Sequence, residues 1–292
     1  MFSIEQSLQK TYRERIWGPF TKACKQYKLI QEGDRIAVCV SGGKDSFLLA
    51  KLMQMLQRYS DVPFEAVYLT MDPGYPQEKR SKVESNAVLL DLPLEIFNCP
   101  IFDVVQKAGG SPCYLCARMR RGNLYKAAAA RGCNKIALAH HFSDAVETTL
   151  ISILYGGQVQ TMPPRLKSAN FPRMELIRPL YLVHEDSIKA WQAYHGLAFI
   201  NCGCPFTEAC VECNAEEPAA DKPAESEVFT GEGSKRAEVK RLLRYMKQYN
   251  PNVEMSVFRA MENVKLDTAL GWTQDGTAHS FLERFGGGLD DS

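Results

Sequence analysis

The sequence predicts an α/β protein, a parallel twisted sheet with helices on both faces and further helices flanking it at the N- and C-terminal ends. Three observations predict this class. Short apolar runs alternate with helical patterns from Arg35 onward, the signature of a parallel sheet with crossover helices. The chain has 292 residues, 45% of them hydrophobic, enough to bury a substantial core. Polar turns follow the apolar runs, namely SGGKDS, MDPGYP, NCP and HHFSD, and open α/β sheets bind ligands outside the carboxyl ends of their strands.

The elements follow in order. Residues 4–28 read as a helix carrying Trp17, Phe20 and Tyr27 among basic residues, and Gly33-Asp34 as a turn. RIAVCV (35–40) is the first expected strand. Residues 45–58 place apolar side chains at 47, 48, 49, 52, 53, 55 and 56, the pattern of a largely buried helix. FEAVYLTM (64–71) is a strand, 79–92 a helix and LEIFN (94–98) a strand. A helix over 117–131, a strand KIALAHH (135–141) and a helix over 144–155 come next. MELIRPLYL holds a short strand, HEDSIKAWQAYHG (184–196) a capped helix ending at Gly196, and LAFIN (197–201) closes the series as a strand.

Four regions are expected: an N-terminal helical segment (1–32), a nucleotide-binding α/β domain (33–204), an insertion (205–234) and a basic helical segment with a tail (235–292). Residues 212–233 carry seven acidic residues against one lysine, with Pro, Ala, Gly and Ser, so a solvated, flexible stretch is expected there. KRAEVKRLLRYMK (235–247) carries six basic residues against one acidic and reads as an amphipathic helix. The net charge of +1 gives no bulk sign of a nucleic-acid partner, so any basic surface must be local. The first residues lack the apolar core and cleavage site of a secretory signal. No run of about 18 apolar residues is present, so no membrane span is expected. The ten cysteines are therefore expected in a reducing cytoplasm, where clustered thiols bind metal or do redox chemistry.

SGGKDS, Ser41 to Ser46, lies between a strand and a helix. It is not a Walker A loop: Asp45 follows the lysine where Ser or Thr is needed, and Val38 stands where the first glycine belongs. What remains is a tight Ser-Gly-Gly turn before a helix N-terminus, where backbone N–H groups and the helix dipole can surround an anion. Gly42 and Gly43 allow close approach, Ser41 and Ser46 add hydroxyls, Lys44 adds a charge, and Asp45 can contact magnesium or backbone. The plain alternative is a turn whose Asp45 or Ser46 merely caps the helix.

SPCYLCARMRRG places Cys113 and Cys116 three positions apart, with Arg118, Arg120 and Arg121 following. Such a pair can bind one metal centre, and arginines beside it stabilise thiolate and contact phosphate. By spacing alone a redox disulfide, half a zinc site and two inert thiols stay open. A second set, Cys202, Cys204, Cys210 and Cys213, follows LAFIN; the tight step from Cys202 to Cys204 argues against a zinc-finger arrangement. Cys24, Cys39, Cys99 and Cys133 read as small buried apolar residues.

SGGKDS resembles the PP-loop of the N-type ATP pyrophosphatases, which split ATP between the α- and β-phosphates and use the AMP to activate a carbonyl oxygen. With CYLCARMRRG, KIALAHHFSDAVETTLISILYGG, TMPPRLKS and IRPLYLVHED in this order, the chain resembles the tRNA 2-thiocytidine synthetase family over roughly residues 15–204, resuming near 235–265. The resemblance implies an adenine nucleotide alpha hydrolase-like fold and ATP- and Mg²⁺-dependent thiolation at C2 of a cytidine in the tRNA anticodon loop. It also implies a [4Fe-4S] cluster on three cysteines with one iron open to sulfur, a sulfur donor such as a cysteine desulfurase, and a homodimer. Carried over by position, the cluster ligands are Cys113, Cys116 and Cys202. The nucleotide site is Ser41 to Ser46 with Met71 and His140 beside the adenosine, and the catalytic set is Lys44, Asp45 and Asp144. Cys204 is the nearest competitor for the third ligand, and Cys202 is favoured because it directly follows the expected strand.

Two departures stand out. The family usually shows two adjacent aspartates after its histidine pair, whereas HHFSD has Ser143 in place of the first. The family usually shows C-x-x-C after the last strand, whereas this chain has C-x-C and the acidic insertion. They keep two other readings in play: a PP-loop RNA ligase that transfers no sulfur, and a non-catalytic sensor binding ATP and a cluster. His140 and His141 are expected to end a strand and face opposite ways, with His140 towards the nucleotide. Glu147 and Thr148 read as helix-surface or packing residues, and His184, Glu185 and Asp186 as helix-start polarity. Basic residues gather in 118–131, 165–178 and 235–247, and with the anion cradle they could form a surface that tracks RNA phosphates.

Overall fold

The structure is a computed structural model that describes residues 2–102, 112–200 and 234–285, with no side-chain description for 112–117. Strand β1 (Arg35–Cys39) alternates its side chains between two cores, as a centrally placed strand must. Ile36, Val38 and Val40 enter a large core with Phe47, Leu48, Leu52 and Trp191, while Ala37 and Cys39 enter a second with Tyr125, Ala128 and Ile136. β1 is flanked by β2 (Glu65–Asp72) and β4 (Lys135–Ala137), β2 by β3 (Leu94–Asn98), and β4 by β6 (Glu175–Ile177), all parallel. The sheet is mostly parallel, as expected; β5 (Arg165–Lys167), a strand that the sequence did not predict, pairs antiparallel with β6 at the edge. The order is β3-β2-β1-β4-β6-β5.

Because β1 runs next to β2 on one side and β4 on the other, the strand order reverses at β1. The crevice beyond the carboxyl ends of β1 and β4 is the topological switch point, the place where such sheets bind ligands.

Helices α3 (Lys44–Tyr59), α4 (Gln77–Leu89) and α7 (Glu185–Tyr194) carry apolar residues into the large core. The N-terminal segment joins them. It is not one helix: α1 (Ile4–Gln9), capped by Ser3 and Gln6, gives way to a π-helical turn (Arg13–Trp17) and then α2 (Gly18–Gln26). Gly18 and Pro19 mark that break, and Leu8, Ile16 and Phe20 are fully buried. α5 (Pro112–Ala130) covers the opposite face. α6 (Phe142–Gly156), α8 (Lys235–Lys247) and α9 (Val253–Glu262) form a third cluster around Phe142, Val146, Leu243 and Phe258. A hairpin of β7 (Gly271–Gln274) and β8 (Thr277–Ser280) follows.

Two expected strands are corrected. KIALAHH is a strand only over Lys135–Ala137; beyond Leu138, which still donates to Ile177 O at 2.9 Å, the chain leaves the sheet to start α6. LAFIN is not a strand over 197–200. Its backbone is satisfied elsewhere: Ala198 O accepts from Asn86 Nδ2 at 3.0 Å and Ile200 N donates to Gly42 O at 3.3 Å, while Phe199 stacks on Phe47. The segment therefore lies across α3 and α4 against the cradle instead of extending the sheet, so no strand precedes Cys202 over 197–200. Cys202, Cys204, Cys210, Cys213 and the acidic insertion lie outside the described residues.

Candidate active site

A cavity of about 340 Å³ opens at the switch point, lined by Ser41 and Gly43 from the turn after β1, Asp45 and Ser46 from the start of α3, Met71 from the end of β2, His140 from the turn after β4, and Asp144 from the start of α6. Arg120 and Leu124 of α5 close it from the side. The structure thus brings together Ser41, Gly43, Asp45, Ser46, Met71, His140 and Asp144 of the expected residues around one space, with Lys44 and Gly42 in the same turn.

The turn is built for an anion. Gly42 has φ 94°, in the left-handed region, and a Cβ there would lie 2.4 Å from Ile200 Cδ1. Ser46 Oγ accepts from Ser41 N at 3.1 Å and donates to Gly43 O at 2.8 Å, cinching the loop. The N-cap of α3 is Gly43, with no side-chain cap bond, so neither Asp45 nor Ser46 is the ordinary cap of the plain reading. The helix start is open to a ligand. Asp45 Oδ1 is buried without a hydrogen-bond partner and faces the same space, which fits a hard divalent cation.

Lys44 Nζ donates to Asp45 Oδ2 at 3.2 Å and Glu185 Oε1 at 3.3 Å. Burial works against its charge, but the two carboxylates more than offset this and raise its pKa. The histidine pair divides its work. His141 is the N-cap of α6: its Nδ1 accepts from Asp144 N at 3.3 Å, and Asp144 Oδ2 accepts from His141 N at 3.0 Å. His140 lines the cavity with Nδ1 buried and unpartnered, and burial lowers its pKa to about 4, so it is neutral near pH 7. The two separate because His141 caps a helix, not because strand alternation turns them apart.

Sequence reasoning missed several members. Glu147, read as a surface or packing residue, is 2% exposed and bonded to Arg236 at 3.0 Å. Burial drives its pKa to about 7 despite Lys240 and Arg236. Arg236 also donates to Asp144 Oδ1 at 2.7 Å, bringing the basic helix α8 onto the site. The i, i+3 spacing of Asp144 and Glu147 and the i, i+4 spacing of Arg236 and Lys240 are ordinary helix-surface polarity and single none of them out in the sequence. Ser143 accepts the backbone N–H of Glu185 at 3.4 Å, joining the start of α6 to that of α7. Tyr75 Oη links Ser41 O, at 3.4 Å, to Arg120, at 3.2 Å.

Cys113 and Cys116 fall in the first turn of α5. By helical spacing, positions 113, 116, 120 and 124 form one stripe, and its far end, Arg120 and Leu124, lines the cavity. The donor chemistry, two thiols three positions apart on one helix, suits a thiophilic iron centre.

The PP-loop domain family matches residues 9–202. A tRNA-cytidine(32) 2-sulfurtransferase of Pelobacter propionicus is 32% identical, covering 83% of this chain and 83% of its own length. The enzyme of that name from Syntrophotalea carbinolica is 35% identical, covering 84% and 86%. Among solved structures, the U34-tRNA thiolase NcsA from Methanococcus maripaludis with its [4Fe-4S] cluster aligns with TM-score 0.60 over 84% of this chain and 76% of its own, at 16% identity, a likeness of fold. With a nucleotide cradle at the switch point and relatives above 30% identical over most of both chains, this protein belongs to the tRNA-cytidine(32) 2-sulfurtransferase family of PP-loop proteins.

Proposed function

We propose that this chain thiolates tRNA at C2 of a cytidine, in two steps driven by ATP. The observation that carries the reading is the cavity itself: an uncapped helix start and an Asp45 oxygen without a hydrogen-bond partner meet there, and Arg120 and Leu124 of α5, the helix whose sequence carries Cys113 and Cys116, line its side. The amides of Ser41–Ser46 and the Lys44 ammonium bind the β- and γ-phosphates. Met71 and His140 flank the adenosine, and the neutral imidazole acts as a hydrogen-bonding group and not as a cation. The C2 oxygen of the base attacks the α-phosphorus, the α–β phosphoanhydride bond breaks, and pyrophosphate leaves. Sulfide-level sulfur then attacks C2, the C2–O bond breaks, and AMP leaves; sulfur from a persulfide donor reaches that level by accepting two electrons from a thiol reductant.

Adenylation turns a poor leaving oxygen into a good one. Lys44 and the loop amides stabilise the charge that develops on the phosphates, an effect worth about 10²–10³ in rate per donor in comparable sites. Asp45 Oδ1 would hold Mg²⁺, which supplies charge neutralisation at the phosphates. Asp144 orders the start of α6 through His141 and holds Arg236 over the site. Cys113, Cys116 and Cys202 would hold the [4Fe-4S] cluster, which when bound supplies an open iron for the incoming sulfur. The sulfur comes from a donor such as a cysteine desulfurase, and the protein works in the cytoplasm as a homodimer. Among the described residues no helix is long and apolar enough to cross a membrane. The chain divides in function at the positions read from sequence: helical segment 1–32, nucleotide domain 33–204, insertion 205–234 and basic segment 235–292.

The test is nucleoside mass analysis of tRNA from cells with and without the protein, beside iron analysis of anaerobically purified material. A 2-thiocytidine present only with the protein, and about four irons per chain, are expected. Stoichiometric zinc with no iron and unchanged nucleosides would overturn the reading. Cys202→Ala should lose iron as Cys113→Ala and Cys116→Ala do, whereas Cys210→Ala and Cys213→Ala should keep it. Loss in Cys204→Ala instead would move the third ligand there.

A further inference from the structure

The polar groups at the cradle close into a ring. Lys44 meets Asp45 at 3.2 Å and Glu185 at 3.3 Å. Glu185 meets Lys240 through its other oxygen at 3.2 Å, and Lys240 meets Glu147 at 3.8 Å. Glu147 meets Arg236 at 3.0 Å, Arg236 meets Asp144 at 2.7 Å, and Asp144 meets His141 at 3.4 Å. His141 Nε2 returns to Asp45 Oδ1 at 3.9 Å. From Lys44 round to Asp144 acid and base alternate, and His141 closes the circuit at a distance beyond hydrogen-bond reach of Asp45 Oδ1, which keeps no hydrogen-bond partner; the circuit ties together the cradle, the starts of α6 and α7, and helix α8.

Glu185 has a singular place in that ring. Each of its carboxylate oxygens holds a different lysine, Lys44 of the cradle through Oε1 and Lys240 of α8 through Oε2. Its backbone is fixed by Ser143, so the carboxylate is anchored at both ends. The side chain is only 15% exposed, so replacing it by solvent is not an equal exchange. Burial opposes its charge, but Lys240, Lys44, Lys189 and His141 outweigh burial and hold its pKa at about 2, so it is an anion throughout the working range. Asp45 cannot do this job. It is the chain neighbour of Lys44 and moves with it, whereas Glu185 fixes Lys44 against a separate element.

We propose that Glu185 is a positioning residue for adenylation: it fixes the Lys44 ammonium at the cradle and, through Lys240, docks helix α8 onto the same site. This rests on the reading of the cavity as an ATP site. In the ground state Glu185 competes with phosphate for the ammonium, so it does not strengthen ATP binding. Its effect falls on where Lys44 stands as charge develops on the departing pyrophosphate, and a misplaced group costs about 10²-fold in rate.

The experiment compares the full-length protein with Glu185→Gln, which keeps shape and removes charge, and with Glu185→Asp. Mg-ATP binding is measured by titration calorimetry, tRNA-dependent pyrophosphate release by stopped assay, and backbone exposure by hydrogen–deuterium exchange. Neither of the first two needs a loaded cluster. Expected for Glu185→Gln is an ATP Kd equal to or tighter than wild type, a rate of pyrophosphate release lower by about 10²-fold, and faster exchange in residues 235–247 with the sheet unchanged. Glu185→Asp should recover part of the rate and part of the protection. A normal rate, normal exchange over 235–247, or a rate loss accounted for by weaker ATP binding in Glu185→Gln would each overturn the proposal. Failure of the wild-type protein to bind Mg-ATP would sink the nucleotide reading and this inference with it, whereas wild-type turnover with a normal Glu185→Gln sinks this inference alone.

Discussion

Two lysines sit at opposite ends of the sheet, each held by carboxylates, and they are built for opposite ends. Lys135 opens β4 at the amino edge, with a side chain 2% exposed. It donates to Asp34 Oδ2 at 2.6 Å, Leu29 O at 3.0 Å and Gln31 Oε1 at 3.4 Å. Asp34 is itself saturated, accepting from Gln31 N and Asn134 Nδ2. Lys44, at the carboxyl edge, is 22% exposed and touches two carboxylates, one of which keeps a buried, unpartnered oxygen. The closed network leaves nothing for a ligand to do. The open one contains capacity that protein partners do not use, and a buried polar atom without a partner is costly unless something arrives to meet it. Satisfaction of hydrogen bonds thus separates lock from site more cleanly than charge does, since both ends are charged.

The comparison predicts opposite consequences for equivalent substitutions. Lys135→Met should be the most damaging to folding, because it leaves Asp34 a buried carboxylate without its cation, a loss of about 3–5 kcal/mol. Urea unfolding would read this as a fall in midpoint at unchanged slope. Wild-type stability in Lys135→Met would show that the amino-edge network is not a lock. Lys44→Ala should do the reverse. Its stability should fall by less than that of Lys135→Met, because Glu185 keeps Lys240 and Lys189 as cationic partners when Lys44 is removed. ATP-dependent pyrophosphate release should drop by about 10²–10³-fold. Asp45→Ala should also abolish turnover, with any bound iron retained, and wild-type pyrophosphate release from either variant would remove the cradle assignment.

Gly42→Ala gives a smaller effect that joins both measurements. The added methyl meets Ile200 Cδ1 at 2.4 Å and forces a non-glycine residue to φ 94°. Ile200 Cγ1 at 2.7 Å and Val83 Cγ2 at 3.0 Å crowd the same methyl, so both side chains must shift, on top of a backbone strain of the order of 1–3 kcal/mol. The loss should appear both as lower stability and as weaker Mg-ATP binding, because Gly42 O also receives Ile200 N. A variant that binds ATP normally at reduced stability would place Gly42 with the structural residues and not with the phosphate cradle.

Much of the open end was legible in the sequence because it is local. Ser41 to Ser46 form one hexapeptide whose strand–turn–helix setting follows from RIAVCV before it and the apolar pattern after it. Elements of regular period, such as 94–98 and 235–247, agree with β3 and α8 residue for residue. LAFIN misled because a short apolar run has no period that separates a strand from a segment lying over helices. KIALAHH was read too long because nothing in the residue types marks His141 as a helix cap. Glu147, Glu185, Arg236 and Lys240 were not legible for a different reason. Each is ordinary helix polarity in sequence, and the ring that joins them closes only when α8 packs against α6 across some 90 residues of chain, as in the 89 that separate Arg236 from Glu147. Pairing at that range is a property of the fold, not of any local pattern.

The weakest expected effect sharpens the comparison from inside the open end, between two carboxylates one turn apart on α6. Asp144 is buried too, but His141, its own capping bonds and Arg236 outweigh burial and hold its pKa below the usual value. For Glu147 burial wins, and its pKa rises to about 7. A carboxyl whose folded pKa lies above its unfolded value of about 4.3 binds protons more tightly in the folded state between the two. Its contribution therefore makes the protein lose stability as pH rises from about 4.5 to 7, and stay level above that. Asp144, shifted the other way, contributes stability that is present above the ordinary aspartate range and lost as pH falls below it. Glu147→Gln removes the first trend and leaves the second. The rise in Glu147's pKa, already reduced by Arg236 and Lys240, corresponds to at most about 3–4 kcal/mol. At pH 8 Glu147→Gln should therefore match or exceed the wild type in stability, while the wild-type decline between pH 4.5 and 7 should flatten in the variant. Parallel stability–pH curves for the two proteins would show that Glu147 is ionised throughout, held by Arg236 and Lys240 as firmly as Asp144 is held by Arg236 and its cap.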